Sequence, residues 1–190
     1  MKKYLSLVSR LSVVALAATS LSLLASAQAA DETSPSPGMT SSAAGGKSKL
    51  SATDKRFVKK AYKGGLEEIE SGKMAKEKAQ NDATKDVADR MVTDHTKANE
   101  QLESIAKEEN LDLSKVTAKP MEISGSDFDK KYLMMLKKDH EKTIAMFEKE
   151  ANDTGAKEDN DVIKFAKDTL PTLKEHLQMV EDALKKVENK

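Results

Sequence analysis

The chain has only three histidines, and each directly follows an acid: Asp94-His95, Asp139-His140 and Glu175-His176. Each pair lies near the middle of a different long helical pattern. The remaining helical pattern carries a lone carboxylate, Glu68, at its own midpoint. One carboxylate and three imidazoles make a competent ligand set for a transition-metal ion. Iron, manganese, zinc or copper would accept it, whereas magnesium and calcium favour all-oxygen sites. Successive residues of a helix are about 100° apart around its axis. Asp94, Asp139 and Glu175 can therefore face a neighbouring helix and orient its imidazole from outside, or add a ligand. Met91 and Met179 stand one turn from His95 and His176 and would add soft sulfur, although methionine also serves as plain core filler. The same groups permit a metal-free network of Glu–His and Asp–His hydrogen bonds, because buried charges need such partners. Sequence alone leaves both readings open.

These residues gain meaning only from the elements that carry them. The first seam runs Val58, Ala61, Gly65, Glu68, Gly72, Ala75, Ala79, with steps alternating between three and four. That is the spacing of one helix face. The second seam is Ala88, Met91, His95, Ala98, Leu102, Ile105. The third is Phe128, Tyr132, Leu133, Leu136, His140, Ile144, Phe147, Ala151. The fourth holds Val162, Ala166, Leu170, Leu173, His176 with Leu177, Val180, Leu184, Val187. Helices are expected over about 54–80, 82–109, 126–152 and 159–187, with Ser126 and Asp129 capping the third. Pro171 should kink the fourth, because its ring clashes with the carbonyl of Lys167 and it has no N–H. No alternating strand pattern competes. Two short turns and one longer loop join the four elements, which predicts an all-α, antiparallel four-helix bundle. In such a bundle Glu68, His95, His140 and His176 should converge at one level. Gly64, Gly65 and Gly72 flank Glu68; they serve close helix packing, or leave room around the carboxylate.

The bulk of the chain bounds the setting. Lys2 and Lys3, an apolar run from Leu11 to Leu24 and the small-residue end Ala27-Gln28-Ala29 read as a secretory signal peptide over residues 1–29. Residues 30–50 hold Pro35, Pro37 and Gly45-Gly46 without periodicity and read as a flexible linker. The bundle domain follows over 51–190. The expected location is periplasmic or secreted. No cysteine is present to carry a lipid at the cleavage point, and no later apolar run can span a bilayer, so no membrane anchor is expected. The charges balance at 32 basic and 32 acidic residues, which gives no basic surface for nucleic acid. Phosphate loops, nucleophile elbows and an H-E-x-x-H are absent.

Several of these residues, taken in order, resemble a bacterial family known as domain of unknown function 4142. They are Leu66-x-Glu68-Ile69 with Gly72 and Ala75, then Arg90-Met91-x-x-Asp94-His95, Phe128-Asp129-x-x-Tyr132 leading to Asp139-His140, and Leu170-Pro171 with His176-Leu177. The resemblance implies a ferritin-like fold and an exported protein without an established activity. It does not extend to the Glu-x-x-His of di-iron bundles, because Val92, Lys137 and Leu173 stand three residues before the histidines. The expected function is binding of a metal ion or small ligand at the mid-bundle site, in envelope stress or metal handling. The alternative is a structural or interaction bundle with an inert polar core. Whether the protein is an enzyme, and which protein partner or oligomeric state it takes, is not written in these residues.

Overall fold

Four helices form where the seams place them. They are α1 (Ala52–Lys78), α2 (Asp82–Glu108), α3 (Phe128–Ala151) and α4 (Asp161–Glu188). The structure is a computed structural model that describes residues 49–119, 122–154 and 160–189, all within one compact unit that begins at Ala43. The expected signal peptide and nearly all of the expected linker lie outside the described residues. No helix among those described is long and apolar enough to cross a membrane.

Local chemistry explains the helix ends. Ser51 caps α1 through a reciprocal box: its hydroxyl accepts from the Asp54 N–H, and its own N–H donates to Asp54 Oδ2, both at 3.1 Å. Asn81 caps α2 and Asn160 caps α4 through side-chain oxygens. The start of α3 departs from expectation. Its cap is Asp127, in the left-handed conformation at φ 62°, and it makes no side-chain cap bond. Asp129 does not reach back to Ser126. Its carboxylate accepts the N–H groups of Gln80 and Asn81 at 3.1 and 2.9 Å, which ties α3 to the turn between α1 and α2. The long-range partner outcompeted the local one because that turn presents two unpaired N–H groups side by side. α4 stays helical across Pro171.

The pairing of the helices decides which side chains meet. α1 packs along α2, and α3 along α4; α2 faces α4 and α1 faces α3. Partners descend as residue numbers rise: Tyr62 meets Glu103 and Lys76 meets Asp89, while Lys130 meets Glu188 and Lys174 meets Glu148. Each hairpin is therefore antiparallel. α2 ends beside the start of α1, where Lys49 N–H reaches Glu109, whereas α3 begins beside the turn at Asn81. The segment between α2 and α3 must thus cross the length of the bundle, and on the way the Lys119 N–H bonds Glu67 Oε1. Two apolar clusters fill the interior. One holds Phe57, Val58, Leu102, Phe147, Phe165 and Leu173; the other holds Val87, Met91, Leu133, Leu136 and Val180. The polar groups lie between them.

Candidate metal centre

Glu68, His95, His140 and His176 are all buried and contribute one side chain from each helix. Their contacts form a chain. The carboxylate of Glu68 pairs with His95 through Oε2 and Nε2, in close contact, and with His140 Nδ1 through Oε1 at 3.4 Å. His140 Nε2 faces His176 Nδ1 at 3.3 Å, and His176 Nε2 meets Asp94 Oδ2 at 3.0 Å. Asp94 is held in turn by Arg90, one turn earlier on α2. The ring centroids of the three histidines are 5.4 to 5.9 Å apart. One nitrogen from each lies within 4.8 Å of the other two.

Hydrogen-bond polarity constrains the tautomers. His140 Nδ1 also faces the carbonyl of Leu136 at 3.1 Å. A carbonyl only accepts, so that nitrogen carries a proton. His176 Nε2 faces a carboxylate oxygen, so it donates as well. In neutral rings the two inner nitrogens, His140 Nε2 and His176 Nδ1, then turn lone pairs toward each other. At 3.3 Å that arrangement is one in which a shared proton or a metal ion could be held between the two rings.

The electrostatics follow from burial and pairing. Burial alone would raise the pKa of Glu68, but the charges of His95 and His140 and hydrogen bonds from His95 and Asp139 outweigh it and hold the group at about 2. Burial works against a charged His95, yet Glu68, with Asp94 and Asp139 behind it, lifts its pKa above the ordinary value. His176 falls to about 4: burial leads, repulsion from His95 and His140 adds to it, and the bond to Asp94 opposes it. Burial and the neighbouring Glu68 raise Asp139 to about 6. Asp94, despite partial burial, is lowered by His176 and Arg90.

The three acids that precede the histidines separate into three environments. Asp94 orients an imidazole. Asp139 bonds Glu68 and no ring. The Glu175 side chain is 67% exposed and touches the centre only through Arg90, at 3.7 Å. Met91 and Met179 both pack in the second apolar cluster. Two further residues belong to the neighbourhood. Tyr132, two turns before His140, is buried with a hydroxyl that has no hydrogen-bond partner among the described residues. Burial and the charge of Glu68 push its pKa far above the usual phenol value. Asn99, one turn after His95, donates from Nδ2 to the Tyr62 carbonyl at 3.2 Å. The third seam contained Tyr132; Asn99 was not in the second seam, although its spacing of four from His95 puts both on one helix face.

Two of the three glycines around Glu68 serve close approach. A Cβ on Gly65 would stand 2.3 Å from Asn99 Oδ1, and one on Gly72 would stand 2.8 Å from Val92. Both admit a neighbour that any side chain would exclude. A Cβ on Gly64 would meet nothing within 4 Å.

Residues 39–183 match a known family, described as Domain of unknown function (DUF4142). No curated protein and no solved structure matches the chain.

Proposed function

Since the chain belongs to the DUF4142 family, whose description fixes no chemistry, we propose from the site itself that the protein binds one transition-metal ion through His95, His140 and His176. The carrying observation is the 3.3 Å between the facing nitrogens of His140 and His176, each with its outer N–H already committed. Two nitrogens on one tetrahedral zinc, each 2.0–2.1 Å from the ion, lie about 3.3 Å apart. The outer bonds have the form that metal-bound histidines adopt, an N–H donated to a carboxylate or a backbone carbonyl. Glu68 sits on the outer nitrogen of His140 and against His95, so we assign it to holding these rings rather than to the ion. The widest gap among the three nitrogens, at most 4.8 Å, has to shrink by as much as about 1.5 Å when an ion enters. Three imidazoles suit zinc, copper, iron or manganese better than calcium or magnesium.

The single long crossover is the connectivity of ferritin-like bundles, and on that ground we place the fold there. We place the protein outside the cytoplasm, in the periplasm or secreted, on its signal-like first 29 residues, with metal handling or envelope stress as its setting. Elemental analysis of untagged protein, purified without chelator, tests the metal reading. About one equivalent per chain is expected, lost in a His140→Ala/His176→Ala double variant that remains helical. Metal-free protein that takes up no ion on addition would overturn it. That outcome would favour the inert polar core, for which the closed Glu68–His95 ion pair speaks.

A further inference from the structure

The charges that balance over the whole chain do not balance along α1. Its first half carries Lys55, Arg56, Lys59, Lys60 and Lys63, with no acid between Lys55 and Glu67. At about 100° per residue these five fall within roughly 140° of the helix surface. The opposite side of the same turns is packed into the core through Phe57, Val58 and Ala61, so the basic stripe faces outward. Arg56, Lys59 and Lys60 are exposed, and Lys55 and Lys63 are half-buried. Among the described residues, Lys63 alone of the five has an ion-pair partner, Glu67. Arg56 donates only within its own helix, to the Ala52 carbonyl and the Thr53 hydroxyl. Further along α1 the lysines are paired, Lys73 with Glu70 and Lys76 with Asp89. The crossover brings Lys115 and Asp112 beside the stripe, where Asp112 feels both Lys115 and Lys59; these two crossover charges offset each other and leave the stripe basic.

The stripe defines its partner. Like charges crowded on one face repel, and an anionic partner removes that repulsion. Four of the five residues are lysines, whose ammonium is a compact charge without the fixed fork that arginine presents to a single phosphate. The face is the convex outside of one helix rather than a groove that tracks a polymer, and it offers no exposed aromatic ring for bases to stack on; among the described residues the exposed large hydrophobic is Met134, on α3. Anionic headgroups move laterally, so they can gather beneath such a face whatever its spacing. We propose that the outer face of α1 is a docking surface for a membrane that bears acidic phospholipids. The contact is purely electrostatic, because the apolar side of α1 is spent in the bundle core and cannot insert among acyl chains. It does not depend on the metal.

The test takes the chain from residue 30, whose described residues all lie in one compact unit, and sediments it with phosphatidylcholine vesicles containing about 30% phosphatidylglycerol in about 50 mM salt. The protein is expected to pellet with these vesicles and not with phosphatidylcholine alone. It should detach at about 0.5 M salt, where screening cuts the reach of a charge to a few ångströms. Each basic residue near such a surface multiplies the partition about fivefold. Lys55→Gln/Lys59→Gln/Lys60→Gln should therefore weaken binding about 100-fold and remain helical. If that triple variant loses helicity, Lys59→Gln alone, at about fivefold, decides. Lys97→Gln/Lys138→Gln/Lys167→Gln changes one exposed lysine on each of the other helices. It makes the same change in net charge and should weaken binding less than about threefold, because those charges are screened from the membrane. No pelleting in low salt, equal pelleting with phosphatidylcholine alone, or equal loss in the two triple variants would overturn the proposal. Tighter retention of the wild type by heparin or duplex DNA than by the vesicles would assign the stripe to an acidic polymer and overturn it too.

Discussion

Replacing Glu68 by glutamine keeps the shape of the side chain and removes its charge from the middle of the bundle. The folded protein holds this carboxyl at about 2, against an ordinary value of 4.5. That difference corresponds to about 3 kcal/mol of folding stability. A carboxyl whose folded pKa is depressed stabilises fully above its unfolded pKa and loses this contribution as pH falls through the folded one. The stabilisation is thus complete above pH 4.5 and fades toward pH 2. At pH 7 the variant also leaves the buried His95 without its counter-charge, and a broken buried pair costs about 3–5 kcal/mol. Both routes give about 3 kcal/mol for Glu68→Gln at pH 7, equivalent to roughly 10 °C in melting temperature for a domain of this size. Urea unfolding of chelator-treated wild type and variant at pH 7, 4.5 and 3 measures it. The gap should be largest at the two higher values and should narrow clearly by pH 3. A gap below about 1 kcal/mol at pH 7, or one that does not change with pH, would refute the ion-pair argument.

Asp94→Ala should weaken metal binding about 10- to 100-fold without loss of helicity, because the His176 N–H loses the partner that fixes its tautomer; competition with a coloured chelator reads the affinity. A separate carboxyl pair at the base of the bundle gives a pH dependence of opposite sense. Burial and the adjacent Asp54 raise Glu150 to about 7, from 4.5, so its contribution is complete below pH 4.5 and is lost as pH rises through about 7. Glu150→Gln, which keeps a donor toward Asp54 and cannot titrate, should match wild type near pH 4.5 and melt higher than it at pH 8, by calorimetry. Gly65→Ala should destabilise by about 1–3 kcal/mol by overpacking against Asn99. Gly64→Ala should stabilise by up to about 1 kcal/mol, because its Cβ meets nothing. The same sign for both glycines in denaturant melts would contradict the packing described.

The seams displayed the four central groups because inward position along a helix is a local property, set by spacing alone. Which acid does what was not local. Asp94, Asp139 and Glu175 have the same place in sequence relative to a histidine. α2 faces α4, so Asp94 reaches His176; α3 faces α1, so Asp139 reaches Glu68; Glu175 turns to the surface and Arg90. Neighbour order around the bundle is a product of the long crossover, and no helical period encodes it. Asn99 escaped attention for a related reason. An amide on a helix reads as a surface residue until the glycine opposite is known to make room for it. The starts of α1, α2 and α4 are capped locally by Ser51, Asn81 and Asn160, whereas the expected local cap of α3 fails because Asp129 bonds a turn 48 residues away.

The position of the polar layer between two apolar clusters has a consequence for assembly of the fold. Both hairpins carry apolar residues above and below that layer, and apolar attraction by itself has no direction. A slip of one helical turn, 5.4 Å, would leave many of those contacts intact. It would also strand Glu68 and His95 against leucines and phenylalanines, which no apolar contact offsets. The layer therefore works as a vernier. Beyond the stability its ion pair supplies, it sets the one alignment at which the two halves of the molecule agree. An ion held across three of the four helices would tighten that alignment, so occupancy and register become a single equilibrium.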